Sequence, residues 1–255
     1  MTGEAKVPND ADRAMSRSDA RNLRPGDGHY SAYVGPPGQW DVMGATQFRL
    51  LTTLGLREHH RLLDLGCGSL RAGRLLICYL EPGHYCGIEP EAWLVEDGLS
   101  REVGADLARM KSPRFVYSSD FPADDFGVQF DFIVAQSVFS HAGPESVAAA
   151  LARCSRALSA QGLVLATFIH PHRLPAAPRE APGWTYPGCT TYAPKRILQL
   201  IDEAGMTGIA LPWWHPRQTW YAIANEATAL PTPRDFPHLT GAVLRDPELA
   251  DSRGG

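Results

Sequence analysis

The stretch "LLDLGCGSLRAGRLLI", residues 62–77, predicts a buried strand, a turn with two glycines and then a helix. Gly66 and Gly68 can bring the backbone close to a ligand and adopt dihedral angles that a Cβ would forbid. In α/β proteins, ligands bind at the carboxyl ends of the strands, beside the first strand-to-helix turn. The stretch therefore predicts a ligand site at the end of the first strand of an α/β sheet.

The turn departs from the pattern that binds dinucleotides. That pattern is G-x-G-x-x-G, and its third glycine lets helix and strand pack closely below a pyrophosphate. Here Arg71 stands at the position of the third glycine, and Asp64 lies one turn away, where it would repel a pyrophosphate. The stretch therefore disfavours a nicotinamide-dependent oxidoreductase and favours a ligand that has cationic groups and no phosphate.

Composition limits the classes of function. The chain has 255 residues, 44% of them hydrophobic, which allows a sizeable buried core. Its 24 Lys and Arg against 28 Asp and Glu give a formal net charge of -4, which offers no basic field for nucleic acid or an anionic membrane. Because no stretch of about 18 apolar residues occurs, no membrane span is expected.

The cysteines and the first residues indicate the compartment. Five cysteines occur without a C-x-x-C pair, so neither a disulfide framework nor a zinc site is expected. Residues 1–22 contain no apolar segment of the kind that signal peptides have. The sequence therefore predicts a cytoplasmic protein.

Short apolar runs alternate with helical patterns along the chain. Seven runs are predicted as strands: 61–66, 84–89, 114–119, 130–136, 163–169, 207–214 and 219–225. Helices are predicted over 44–56, 71–80, 91–109, 144–158 and 194–204. This alternation predicts an α/β, Rossmann-like fold with a seven-stranded, mostly parallel sheet and helices on both faces. Only "HPRQ" separates the last two strands, so they are expected to form a C-terminal antiparallel hairpin.

The ends of the chain differ from its middle. Residues 1–28 are polar and aperiodic and predict a disordered N-terminal arm, and residues 228–255 predict a loosely packed tail. Residues 29–227 are expected to form one domain. Within it, residues 29–43 carry three aromatic residues among Gly and Pro, which fits either a lid over a pocket or a hydrophobic strap on the core.

At "LLDLGCG" the sequence resembles the class I S-adenosylmethionine-dependent methyltransferases. Their first motif is an apolar strand that ends in D/E-x-G-x-G, and the likeness extends over about residues 30 to 225, including the closing hairpin. The resemblance implies S-adenosylmethionine as the cofactor, and its ammonium and sulfonium suit a turn that carries Asp64. The residues expected to bind it are Asp64, Gly66, Cys67, Gly68, Arg71, Glu89, Pro90, Asp120, Phe121 and Gln136.

Glu89 ends the second predicted strand, where a carboxylate can accept hydrogen bonds from both ribose hydroxyls. Glu91 is the alternative, and a solvated acid at the start of a helix is the other interpretation. Arg71 is expected to reach the methionine carboxylate, with Arg74 or a surface role as alternatives.

The resemblance also assigns roles at the third and fourth strands. Asp120 would accept from the adenine amino group and Phe121 would pack along the base, although Asp124 and Asp125 compete with Asp120. Gln136 ends the fourth strand on the methyl-donor side, at a position where the family often has Asn or Asp.

Histidines at strand ends are the candidate catalytic bases, because imidazole can accept a proton at neutral pH. His141 follows the fourth strand beside the expected methyl group, and His215 lies between the last two strands. A structural hydrogen-bonding role is the alternative for each. His170 and His172 form an H-P-H pair, but no carboxylate or cysteine lies nearby in the sequence to complete a site, so no metal is expected.

Three segments are expected to recognise the acceptor: 29–43, 170–193 and 212–218. Their aromatic residues favour a flat or apolar small molecule, since no module that reads peptides or nucleic acids is visible. The sequence thus predicts a methyltransferase that acts on a small molecule, with specialised metabolite biosynthesis as one setting. The alternative is a protein that binds S-adenosylmethionine without methyl transfer and acts as a partner or sensor.

Overall fold

A computed structural model of the chain describes residues 10–241, and a seven-stranded sheet forms its centre. In chain order the strands are β1 (Leu62–Leu65), β2 (Tyr85–Ile88), β3 (Arg114–Val116), β4 (Phe130–Ala135), β5 (Leu158–Phe168), β6 (Thr207–Leu211) and β7 (Thr219–Ala224). Their order across the sheet is β3-β2-β1-β4-β5-β7-β6. All seven predicted strands are therefore present.

The sheet is parallel from β3 to β5 and antiparallel at one strand. β5 pairs with β7 in antiparallel register, with Ala166 opposite Tyr221, and β6 pairs with β7 in the same sense. β7 therefore lies between β5 and β6, and β6 forms the edge of the sheet. The hairpin predicted from "HPRQ" is present. The predicted fold class is confirmed.

Eight α-helices surround the sheet within residues 10–241. They are α1 (Asp10–Ala14), α2 (Tyr30–Tyr33), α3 (Trp40–Thr53), α4 (Gly73–Tyr79), α5 (Ala92–Gly98), α6 (Ala105–Lys111), α7 (Pro144–Ala157) and α8 (Pro194–Glu203). None of these helices combines the length and the apolar character that crossing a membrane requires.

Each face of the sheet is covered by its own hydrophobic core. On one face α7 buries Val147, Leu151 and Cys154, whose helical spacing forms one apolar stripe, against the strands. On the other face α3 and α4 bury residues such as Leu50 and Leu76 against β1 and β4. Because β1 is buried on both faces, its sequence reads as a continuous apolar run broken only by Asp64.

The helix predicted over 91–109 is interrupted. α5 passes into a π-helical turn over Leu99–Val103, and Gly104 then adopts a φ of +84° before α6 begins. Other residue types rarely take this φ, so Gly104 ends one helix and redirects the chain into the next. The apolar periodicity of the segment concealed this break.

Residues 10–28 are not the disordered arm that the sequence predicts. Arg13 donates from Nη2 to Asp97 Oδ1 at 2.8 Å, and Ala20 is fully buried. At the other end of the described chain, Leu239 is buried and Trp214 donates its backbone N–H to Thr240 O at 2.9 Å, so residues 228–241 are packed. Residues 1–9 and 242–255, which complete the predicted arm and tail, lie outside the described residues.

Residues 29–43 form a packed aromatic segment, called here the aromatic strap. Tyr30, Tyr33 and Trp40 are buried and contact Leu94 of α5. Ser69 donates to Tyr30 O at 2.7 Å, which fastens the strap to the first strand-to-helix turn. The strap therefore belongs to the core, and it also borders the cavity described next.

Candidate active site

A cavity of about 740 Å³ opens at the carboxyl ends of the strands, between the aromatic strap and the loop that joins β6 to β7. This volume is in the range of small-molecule sites. The twelve residues that the sequence predicts as cofactor-binding or catalytic all line it: Asp64, Gly66, Cys67, Gly68, Arg71, Glu89, Pro90, Asp120, Phe121, Gln136, His141 and His215. The fold thus brings the predicted residues together in one site.

The glycine turn has no room for larger side chains. Gly66 and Gly68 have φ angles of +71° and +53°, in the left-handed region that favours glycine. A Cβ on Gly66 would lie 2.5 Å from Val138 Cγ2, and one on Gly68 would lie 2.7 Å from Val34 Cγ1. The glycines therefore allow the turn to approach both neighbouring segments while it forms one wall of the cavity.

Glu89 is buried at the end of β2 and is held by two backbone amides. Its Oε2 accepts from Gly68 N at 2.9 Å and its Oε1 accepts from Glu91 N at 3.1 Å. Burial raises the pKa of Glu89 to about 7, against the opposing effect of these two hydrogen bonds. Each carboxylate oxygen keeps a second acceptor position, so Glu89 can accept two further hydrogen bonds from a ligand.

Asp64 lies at the floor of the cavity with Arg71 nearby. Asp64 accepts from the Tyr85 hydroxyl at 2.9 Å, and burial raises its pKa to about 6, although Tyr85 and Arg71 act in the opposite direction. Arg71 donates from Nη1 to Val34 O at 3.0 Å, and burial lowers its pKa to about 10. Arg71 thereby connects the turn to the aromatic strap.

The ends of β3 and β4 complete this half of the cavity. Asp120 is exposed at its rim, and Phe121 is buried beside it with a φ of +51°. Ser137, directly after β4, also has a positive φ, +61°, and its backbone N donates to Thr167 Oγ1 at 2.7 Å. Strained dihedral angles at two strand ends of one cavity are typical of a functional site.

Gln136 provides polar atoms without a protein partner. It is 8% exposed, and neither its Oε1 nor its Nε2 has a hydrogen-bond partner among the described residues. Buried amides are normally paired, so the unpaired amide of a cavity-lining residue indicates a position that serves a ligand.

His141 has its Nδ1 fixed by a backbone carbonyl. Nδ1 donates to Gly188 O at 2.6 Å, since a carbonyl can only accept. The neutral ring therefore keeps a lone pair on Nε2. Burial lowers the pKa of His141, and the charge of Arg217 lowers it further, while the hydrogen bond to Gly188 O acts in the opposite direction. The neutral form of the ring is therefore favoured at pH 7.

His215 has the opposite arrangement. Its Nδ1 accepts the backbone N–H groups of Arg217 and Gln218 at 3.1 and 2.9 Å, so the proton of the neutral ring is on Nε2. Burial and the charges of Arg217, Arg71 and Arg173 lower its pKa well below the ordinary value. His215 thus holds the loop between β6 and β7 and has no free lone pair with which to accept a proton.

Aromatic rings form the wall beside His141. The ring centroid of His141 lies 5.0 Å from that of Tyr186 and 5.9 Å from that of Trp184. The hydroxyl of Tyr186 donates to Tyr33 O in the aromatic strap. The segments predicted to recognise an acceptor therefore meet on one side of the cavity.

Several lining residues were not found from the sequence. Met43 and Gln47 reach the cavity from α3, and Gln39 reaches it from the position just before α3. Arg173 and Arg217 reach it from loops that follow β5 and precede β7. The position of the two arginines at strand ends was a usable signal, because loops at this edge of a sheet carry ligand contacts.

The two histidines of the H-P-H pair lie close together just after β5, with ring centroids 5.6 Å apart. Within residues 10–241, no three His, Cys, Asp or Glu side chains come together as metal ligands would. His170 contacts Tyr221, whose hydroxyl lies 3.0 Å from His170 Nε2. This histidine therefore has a structural partner at the end of the sheet.

Comparison with known proteins agrees with the fold described above. Residues 63–164 match the family model described as "Methyltransferase domain". Among solved structures, the chain is similar to an O-methyltransferase from neocarzinostatin biosynthesis, crystallised with S-adenosyl-L-homocysteine and 1,4-dihydroxy-2-naphthoic acid. That similarity has a TM-score of 0.53 at 16% identity and covers 74% of this chain and 54% of the other. The chain thus spans about half the length of that enzyme.

Two further structures have the same fold. The magnesium protoporphyrin IX methyltransferase of Synechocystis PCC 6803, with bound S-adenosylmethionine, matches at 15% identity with a TM-score of 0.51, over 73% of this chain and 83% of that one. The CcbJ methyltransferase of Streptomyces caelestis matches at 12% identity with a TM-score of 0.56, over 74% and 96%. The predicted fold is confirmed: this chain has the fold of the class I S-adenosylmethionine-dependent methyltransferases, and residues 63–164 match the model of a methyltransferase domain.

Proposed function

We propose that this protein transfers a methyl group from S-adenosylmethionine to a small-molecule acceptor. The observation that carries the proposal is the position of Glu89, a buried carboxylate held against the amide of Gly68 at the edge of the cavity. The bound cofactor supplies an activated methyl group on its sulfonium. The O-methyltransferase of neocarzinostatin biosynthesis, crystallised with a small aromatic molecule, supports an acceptor of similar size.

The cavity suits a cationic cofactor. Asp64 and Glu89 bring negative charge to the first two strand ends, Gly66 and Gly68 leave space along the turn, and Gln136 has an unpaired amide. In this assignment Glu89 accepts from the ribose hydroxyls, Arg71 holds the methionine carboxylate, and Gln136 Oε1 accepts from the ammonium group. Asp120 and Phe121 contact the adenine, with Cys67 and Pro90 beside it.

The chain's own contribution to the reaction is alignment and proton removal. Desolvation and alignment of the acceptor with the methyl group supply much of the rate acceleration in such a transfer. His141 Nε2 accepts the proton of the attacking hydroxyl or amine, because its Nδ1 is already committed to Gly188 O. S-adenosylmethionine, held by Glu89, Arg71 and Gln136, would supply the methyl group to the acceptor atom and leave as S-adenosylhomocysteine. We assign the base to His141 rather than to His215, whose Nδ1 lone pair is occupied.

A transfer assay tests this proposal. The full chain is incubated with S-adenosylmethionine carrying an isotopic label in its methyl group and with a library of small metabolites, and products are identified by mass spectrometry. We expect at least one acceptor to gain a single labelled methyl group, and His141→Ala to lose this product while still binding S-adenosylhomocysteine. Binding of the cofactor without any product across the library would favour a partner or sensor instead.

A further inference from the structure

The two halves of the cavity differ in charge, although one guanidinium, that of Arg71, lies on the acidic side near Asp64. The acidic residues that line it, Asp64, Glu89, Glu91 and Asp120, all lie at the ends of β1, β2 and β3. The opposite half, at the ends of β5 and β7, contributes the guanidinium groups of Arg173 and Arg217 and no lining carboxylate. The acidic half suits a cationic cofactor, so the basic half needs a different ligand.

Arg173 and Arg217 have no acidic partner in the described part of the chain. Several other arginines there form ion pairs, as Arg153 does with Asp124 at 2.9 Å and Arg196 does with Glu203 at 3.0 Å. Arg173 and Arg217 are both exposed at the mouth of the cavity. An unpaired guanidinium facing a binding cavity is a typical receptor for a carboxylate, which it binds through two parallel hydrogen bonds.

The loop that carries Arg217 is held in place from both sides. His215 Nδ1 accepts the backbone N–H of Arg217, and Gln218 Nε2 donates to Ser137 Oγ at 2.8 Å, at the end of β4. The charge of Arg217 also reaches two side chains of the cavity. Burial lowers the pKa of His141 and Arg217 lowers it further, whereas burial raises the pKa of Cys189 against the effect of Arg217. The backbone of Arg217 is therefore fixed at the cavity, within electrostatic reach of the proposed base His141.

We propose that the acceptor is an aromatic carboxylate, held by Arg217 and Arg173 while its ring lies against Trp184 and Tyr186. This inference rests on the proposed methyl transfer. The carboxylate serves as the anchor, and a hydroxyl or amine on the same molecule receives the methyl group beside His141. His215 acts as a positioning residue, since it holds the backbone of Arg217 and makes no contact assigned to the acceptor.

Matched pairs of probes test the charge preference. The full chain is first saturated with S-adenosylhomocysteine and then titrated with 4-hydroxybenzoate, 4-hydroxybenzamide, 4-hydroxycinnamate and 4-hydroxycinnamamide. We expect at least one carboxylate to bind tenfold or more tightly than its amide. Arg217→Gln should reduce this preference to threefold or less, and Arg173→Gln should reduce it in part. Arg179→Gln, an exposed arginine of the same segment that does not line the cavity, should leave it unchanged.

The outcomes separate this inference from the proposed function. If S-adenosylhomocysteine does not bind, the proposed methyl transfer fails at its first step. In a second outcome, S-adenosylhomocysteine binds equally to the wild type and to Arg217→Gln, but no carboxylate binds more tightly than its amide. This outcome overturns only the anionic acceptor and leaves the proposed methyl transfer intact. A product that is a methyl ester of the carboxylate would overturn its role as the anchor.

Discussion

His141 and His215 line one cavity but use their Nδ1 atoms in opposite ways toward the backbone. Nδ1 of His141 donates to a carbonyl, whereas Nδ1 of His215 accepts from two amides. These hydrogen bonds fix opposite tautomers in the neutral rings. His141 therefore has a free lone pair on Nε2 that can accept a proton, whereas His215 already carries its proton on Nε2. The sequence alone names both histidines as candidate bases.

This difference predicts unequal effects of substitution. His141→Ala should lower turnover by about 10²-fold or more, the usual range for a lost general base, with little change in cofactor affinity. The wild-type kcat/KM should fall as the pH drops below the lowered pKa of His141, because the protonated ring cannot accept a proton. His141→Ala should lack this acidic limb. Steady-state kinetics between pH 5 and 8 measure both effects.

His215→Ala is the matched variant. It removes the acceptor for the amides of Arg217 and Gln218, so KM for the acceptor should rise while the shape of the pH profile is kept. Full turnover by His141→Ala at saturating acceptor would show that alignment alone drives the reaction.

Glu89→Ala should weaken the binding of S-adenosylhomocysteine by at least tenfold. The variant loses two hydrogen bonds from the ribose to a charged group, each worth on the order of 1.5–3 kcal/mol. Glu91→Ala is the control, because Glu91 also lines the cavity but its carboxylate accepts from Trp93 Nε1 at 3.2 Å. Titration calorimetry measures both variants, and a larger loss in Glu91→Ala would transfer the ribose contact to Glu91.

Gly66→Ala should destabilise the fold more than Gly83→Ala does. Both glycines have a positive φ, +71° and +78°, so each substitution costs roughly 1–2 kcal/mol in backbone strain. Only the Cβ at position 66 meets another residue, Val138, whereas nothing lies within 4 Å at position 83. Urea unfolding should therefore show a larger loss in the free energy of unfolding for Gly66→Ala than for Gly83→Ala. Adding Val138→Ala to the Gly66→Ala variant should reduce this additional loss. Equal losses in the two single variants would contradict the packing described for the turn.

Asp64 predicts a specific dependence of stability on pH. Its folded pKa of about 6 lies above the ordinary value of 3.8, so folding favours the protonated form, and this stability is lost as the pH rises through 6. Between pH 5 and 8 the loss is roughly 1 kcal/mol. Asp64→Asn cannot ionise, so its free energy of unfolding should increase relative to the wild type by about that amount. If the difference in free energy of unfolding between Asp64→Asn and the wild type stayed constant from pH 5 to 8, the pKa of Asp64 would not be raised.

The sheet and the cofactor half of the site could be predicted because their signals are local. A strand buried on both faces reads as an apolar run, and the acids and glycines that follow it lie within a few residues of its end, as Gly66, Gly68 and Glu89 do. The antiparallel hairpin of β6 and β7 followed from the short connection between these strands.

The remaining features depend on contacts between distant residues. The segment of Arg13 is polar and aperiodic, and only the position of Asp97 on α5 explains why it packs. Arg173 and Arg217 lie far apart in the chain and line the same cavity because β5 and β7 are neighbours in the sheet. The tautomers of His141 and His215 depend on the backbone groups of two loops, which no residue pattern specifies.

The central claim, that this cavity binds S-adenosylmethionine and no dinucleotide, is tested most directly by titration calorimetry with S-adenosylhomocysteine and with NAD on the full chain. We expect saturable binding of S-adenosylhomocysteine, because Glu89 at the glycine turn can accept hydrogen bonds from a ribose. We expect no heat from NAD, because Asp64 would repel a pyrophosphate and Arg71 stands at the position of the third glycine. Binding of NAD together with no signal from S-adenosylhomocysteine would contradict the claim.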